Sequence, residues 1–197
     1  MPVSHTPRIL CYGDSNTYGY DPAEIFERRY PPQQRWPELL AAASGWDVVN
    51  LGLNGRMIPY AKREVETALA QIQRQLPADC LVVMLGSNDV FRLDCPPPEL
   101  LAERMKSFLL AVRESMPSLP LLLIAPPRIA IPLAHYQELF WRLAPAYEAL
   151  AQELGIFFAA APQWELPLSA DGVHFSAQAH ERFAAEIERC LRQALSL

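Results

Sequence analysis

The sequence predicts an α/β protein: a three-layer α/β/α sandwich around a five-stranded parallel sheet. Three observations carry this expectation. Short apolar runs alternate with helix-period stripes along the whole chain. The central runs are apolar at consecutive positions, as strands covered on both faces are. The 197 residues, 51% hydrophobic and 20% charged, suit a single domain over residues 1–197 with a sizeable core.

The elements follow in order. Residues 8–12 (RILCY) form an apolar run that stops at Gly13, a first strand. Trp36, Leu39, Leu40 and Ala43 have helical spacing, and residues 47–53 (DVVNLGL) read as a β-branched second strand. Val65, Leu69, Ile72 and Leu76 mark one helical face, and residues 80–85 (CLVVML) a buried third strand closed by Gly86. Leu101, Met105, Phe108, Leu109 and Val112 make the next stripe. Residues 119–125 (LPLLLIA) form a fourth strand, with Pro120 confined to its start. Residues 139–154 are helical in pattern, with Pro145 expected to kink that helix or begin a new one. Residues 156–159 supply a fifth strand. Phe183, Ile187, Cys190, Leu191 and Ala194 line the last helix, capped by Ser176.

Composition excludes several classes. A net charge of −5, from 17 Lys+Arg against 22 Asp+Glu, argues against a nucleic-acid partner. No apolar run approaches the roughly 20 residues that span a bilayer, so no membrane partner is expected. Residues 1–8 carry no apolar leader, and the four cysteines form no C-x-x-C pair. A cytoplasmic protein with free thiols is the expectation. The 19 prolines against 8 glycines point to long, stiff loops. Exposed aromatics there leave room for self-association.

Parallel sheets with right-handed crossovers bind ligands beyond the carboxyl ends of their strands. Four loops meet at that edge: Gly13-Asp14-Ser15-Asn16-Thr17, Gly52 to Arg56, Gly86-Ser87-Asn88-Asp89, and Asp171-Gly172-Val173-His174. Each alone reads as an ordinary turn. Together they supply what acyl transfer requires. Ser15 is the nucleophile. His174 is the base, since a histidine with an ordinary pKa near 6.5 can take the hydroxyl proton and return it. Asp171, three residues earlier, orients that imidazole. The backbone N–H groups of Ser15 and Gly52 and the side-chain amide of Asn88 are the oxyanion donors, with glycine at 52 admitting a close backbone approach. His5, His135 and His180 show no partner and are expected at the surface.

These segments resemble the SGNH, or GDSL-type, hydrolases: GDSNTYG around Ser15, NLGLNGR around Gly52, LGSND around Asn88 and DGVHF around His174. The resemblance runs from Ile9 to the last helix. It implies a flavodoxin-like strand order 2-1-3-4-5 and a cofactor-free serine esterase, with Ser15, His174 and Asp171 as triad and Ser15, Gly52 and Asn88 as oxyanion hole. ILCYGDS, Arg35-Trp36 and the Leu53-to-Arg56 spacing are most similar to the small arylesterase/acyltransferase branch.

Specificity is expected in the loops at residues 18–35, 91–98 and 126–132, with Phe91, Ile129 and Ile131 walling an apolar acyl pocket. Arg56 and Arg128 are expected to pair with surface acids, the alternative being contact with a polar alcohol portion of the substrate. The substrate expected is a small-molecule ester. The alternatives are a carbohydrate O-acetylesterase, an acyltransferase, a non-catalytic binding module, and a metal phosphoesterase built on Asp14, Asp89, Asp171 and His174.

Overall fold

The computed structural model describes residues 5–26, 28–131 and 133–196; Pro132, the last residue of the β4 loop named above, lies outside them. Five strands, β1 (Arg8–Gly13), β2 (Asp47–Asn50), β3 (Cys80–Met84), β4 (Leu121–Ala125) and β5 (Phe157–Ala160), form one parallel sheet. Its order is β2-β1-β3-β4-β5, as expected. The pleat sorts side chains into two cores. Leu10, Tyr12, Leu81, Val83, Leu121 and Leu123 face one, and Ile9, Cys11, Cys80, Val82, Leu122 and Ile124 the other.

Helices cover both faces. The first core is closed by α3 (Lys62–Gln73), α5 (Pro98–Ser115) and α6 (Ala134–Leu154), through stripes such as Leu101, Met105, Phe108 and Val112. The second is closed by α2 (Trp36–Ser44) and α7 (Ala177–Leu195), through Trp36, Leu40, Phe183 and Ile187. Ser176 caps α7 as predicted, its hydroxyl accepting the Ala179 N–H at 3.2 Å. Two short helices, α1 (Ser15–Tyr18) and α4 (Ser87–Arg92), start directly beyond β1 and β3, at the carboxyl edge. Among the described residues no helix is long and apolar enough to cross a membrane.

Several boundaries differ from expectation, each for a local reason. Strand β2 ends at Asn50 rather than Leu53: the Asn50 side chain takes the Gly52 N–H at 2.9 Å, while the Leu51 and Leu53 N–H groups still donate to the Cys11 and Gly13 carbonyls of β1 at 2.9 and 3.1 Å. Strand β4 starts at Leu121, since Pro120 offers the ladder only its carbonyl, which accepts the Leu81 N–H at 2.9 Å. The helix α3 ends at Gln73, leaving Leu76 outside it and partly exposed. Pro145 neither ends nor divides α6. It lies on the exposed face one turn after the half-exposed Trp141, where a carbonyl freed of its i+4 donor can face water.

His180 corrects the surface expectation. It is 0% exposed, its Nδ1 accepts the Trp36 N–H at 3.3 Å, and the rings of Tyr30 and Phe175 stand 5.3 Å from its own. Its position three residues before Phe183 puts it on the buried stripe of α7. His135 is exposed, and His5 is exposed but meets Asp79 at 2.8 Å. Burial, with the positive charge of Arg35 adding to it, pushes the His180 pKa down to about 3. Between that value and the ordinary 6.5 the unfolded chain therefore binds a proton that the native one refuses, so stability falls as pH falls through this window. His180→Gln keeps an acceptor for Trp36 and should flatten the decline of Tm between pH 6.5 and 4. Parallel Tm profiles for the variant and the parent would refute that assignment.

Candidate active site

Gly13 ends β1, and a Cβ there would lie 2.0 Å from the Thr17 hydroxyl oxygen, so only glycine permits so tight a strand-to-helix turn. Asp14 caps α1 by accepting the Asn16 N–H at 3.0 Å, which leaves Ser15 as the first helical residue, 8% exposed. Burial pushes the Asp14 pKa up to about 6, opposed by the Asn16 N–H and by the nearby His174 and Arg56.

The i, i+3 spacing of Asp171 and His174 is an Asx turn, with Gly172 at φ +68°. Asp171 Oδ1 accepts the N–H groups of Val173 and His174, each at 3.0 Å. Its Oδ2 meets His174 Nδ1 at 2.5 Å, and His174 Nε2 lies 3.0 Å from Ser15 Oγ. Although burial acts to raise the Asp171 pKa, the hydrogen bonds from His174 and Val173 hold it below the ordinary carboxylate value. Asn16 ties the two loops together, its Oδ1 accepting the Phe175 N–H at 2.9 Å, and the Tyr20 ring packs on the imidazole at 4.5 Å. The sequence placed Asn16 in the loop after the first strand and Tyr20 in the loop at residues 18–35, but gave neither a role at the imidazole.

Asn88 lies in the first turn of α4 and lines the same cavity as Ser15. One amide hydrogen of its Nδ2 is donated to the Arg56 carbonyl at 3.0 Å, leaving the second for another acceptor. Gly52 is placed differently from expectation. Its N–H is held by Asn50, and it lines a cavity against α3 rather than the one containing Ser15. Glycine is required there because a Cβ would sit 2.1 Å from the Tyr18 nitrogen, so the close approach is to the chain itself. Three residues on, Gly55 turns at φ +71°, and its N–H meets no acceptor among the described residues.

Arg56 does not pair with a surface acid. Its guanidinium donates to the carbonyls of Gly13 (2.9 Å) and Leu51 and to Gln71 (3.0 Å), and lies 3.9 Å above the Tyr12 ring. One side chain thereby joins the ends of β1 and β2 to α3. Arg128 likewise donates to the Pro162 carbonyl at 3.1 Å and stacks on Trp141.

The cavity at Ser15 measures about 340 Å³, and Phe91 and Ile131 line it with Val173 and His174. Ile129 does not: it is 6% exposed, packs into the first core, and borders a separate cavity on the far side of the β4 loop. The four groups weighed for a metal do not converge. Among the described residues no three His, Cys, Asp or Glu side chains form a cation site, and Asp89 instead accepts the Ile58 N–H at 3.0 Å.

The model of the GDSL-like lipase/acylhydrolase family matches residues 11–182. GDSL lipase Rv0518 of Mycobacterium tuberculosis is 31% identical over 203 residues, covering 94% of this chain and 85% of that protein. The structure of Est24, a carbohydrate acetylesterase from Sinorhizobium meliloti, superposes with a TM-score of 0.80 at 26% identity, over 95% of this chain and 99% of that one. The aryl esterase of M. smegmatis shares the fold, with a TM-score of 0.84 at 24% identity over 96% of this chain and all of that one.

Proposed function

Because this chain belongs to the GDSL-like lipase/acylhydrolase family and is an esterase of that type, we propose that it hydrolyses small acyl or aryl carboxylic esters through an acyl-serine intermediate. The observation that carries the proposal is the continuous hydrogen-bond chain Asp171–His174–Ser15 at the mouth of the cavity. In this reading His174 Nε2 takes the Ser15 proton as Oγ attacks the ester carbonyl carbon. The tetrahedral oxyanion collapses, the alcohol leaves with the proton returned by His174, and the acyl group stays on Ser15. Water then attacks that ester with His174 again as base, releasing the acid and restoring the serine. Asp171 stays ionised throughout, steadying the imidazolium.

The oxyanion would be met by the Ser15 N–H, the second amide hydrogen of Asn88, and one N–H of the loop after β2. For Gly52 to be that third donor Asn50 must first release its N–H. Phe91 and Ile131 would bound the acyl group. A carbohydrate O-acetyl substrate is the second reading, favoured by the likeness to Est24, and an alcohol outcompeting water would make the same site an acyltransferase.

Hydrolysis of p-nitrophenyl esters of increasing acyl length, without added metal, tests the proposal. The wild type should turn over the short esters, and Ser15→Ala should fall to background, a loss of at least about 10³. Equal rates in the two proteins would refute serine chemistry.

A further inference from the structure

Asp89, immediately after Asn88, is 0% exposed. Its Oδ2 accepts the Ile58 N–H at 3.0 Å. Its Oδ1 has no hydrogen-bond partner among the described residues and faces Arg104 Nη1, on α5, at 3.9 Å. Arg104 is itself mostly buried, with its guanidinium 4.7 Å from the Tyr60 ring. Burial pushes the Asp89 pKa up to about 6, opposed by the Ile58 N–H and by Arg104. Fold stability gives little reason to keep such a pair, since well-packed apolar residues usually serve as well or better than a buried ion pair.

Its connections supply a different reason. Consecutive residues of the turn after β3 grip consecutive parts of the loop after β2: Asn88 donates to the Arg56 carbonyl, and Asp89 accepts from Ile58 two residues later. Arg104 stands behind Asp89, while its guanidinium lies against Tyr60 at the far end of the same loop. The two segments that carry the proposed oxyanion donors are therefore fixed to one another by this carboxylate. A shift of either by a fraction of an ångström would open the donor geometry, which must be right within about 0.5 Å.

We propose that Asp89 and Arg104 are positioning residues that lock the turn bearing Asn88 to the loop after β2 that bears Gly52, and so set the geometry of the oxyanion hole. The inference rests on the serine-esterase reading. Neither residue touches substrate, so their effect should fall on turnover rather than on binding.

The test is steady-state kinetics on a p-nitrophenyl ester with Asp89→Asn, Arg104→Gln, Arg104→Lys and the double variant Asp89→Asn/Arg104→Gln, beside Ser15→Ala and with Tm recorded for each. Asp89→Asn can still accept from Ile58 but loses its attraction to Arg104. It should lower kcat about 10- to 100-fold with KM within threefold of wild type. Arg104→Gln should match it, Arg104→Lys should recover most of the loss, and the double variant should be no worse than either single one. Wild-type kcat in folded Asp89→Asn, a change confined to KM, or a lowered Tm as the sole effect would overturn the proposal while Ser15→Ala remained inactive. A fully active Ser15→Ala would instead bring down the esterase reading itself, and this inference with it.

Discussion

Replacing His174 by alanine is expected to lower kcat by about 10⁶, the same loss as Ser15→Ala, because a nucleophile and its base act as one unit. The reason is geometric. Ser15 Oγ lies 3.0 Å from His174 Nε2, and the other ring nitrogen meets Asp171 at 2.5 Å. Without the imidazole the hydroxyl attacks with its proton attached, and nothing protonates the leaving alcohol. KM should change little, since the ring contributes only part of the cavity wall. Asp171→Asn should lose less, about 10⁴, because the ring remains but its tautomer is no longer imposed. Steady-state kinetics on a short p-nitrophenyl ester checks both values. A loss below tenfold in His174→Ala would remove it from the mechanism.

Asn88→Ala should lower kcat by about 10²–10³ with a small change in KM, the effect of deleting one donor to a developing oxyanion. The hydrogen bond from Asn88 to the Arg56 carbonyl also disappears, so part of the loss reflects a loosened loop. An unchanged kcat in Asn88→Ala would show that the hole is built without it.

The sheet was legible because β3 and β4 are apolar at every position, a pattern that few elements other than a doubly covered strand produce. The meeting of Ser15, Asn88 and His174 was legible for a related reason: once the strands are known, parallel topology sends all three to one edge, and the Asp171 spacing is a local turn. What the sequence hid depends on contacts between distant segments. Gly52 is visible as a glycine, but its need for no side chain comes from Tyr18, which lies 34 positions earlier. Arg56 looks like a surface cation until Tyr12, Gly13 and Leu51 are seen around it. Ile129 and Ile131 are chemically alike and two residues apart, yet only the latter reaches the cavity at Ser15. His180 is a different matter. Its place on the apolar stripe of α7 was readable from helical periodicity, which outweighs the polarity of a residue whose ring can be buried neutral.

Every rate effect expected above requires Ser15 to be the nucleophile, activated by His174. A fluorophosphonate probe followed by peptide mapping tests it without reference to any natural substrate. One adduct per chain is expected, on Ser15, formed rapidly by the wild type, much more slowly by His174→Ala, and not at all by Ser15→Ala. Labelling at another residue, or at the same rate with and without His174, would contradict it.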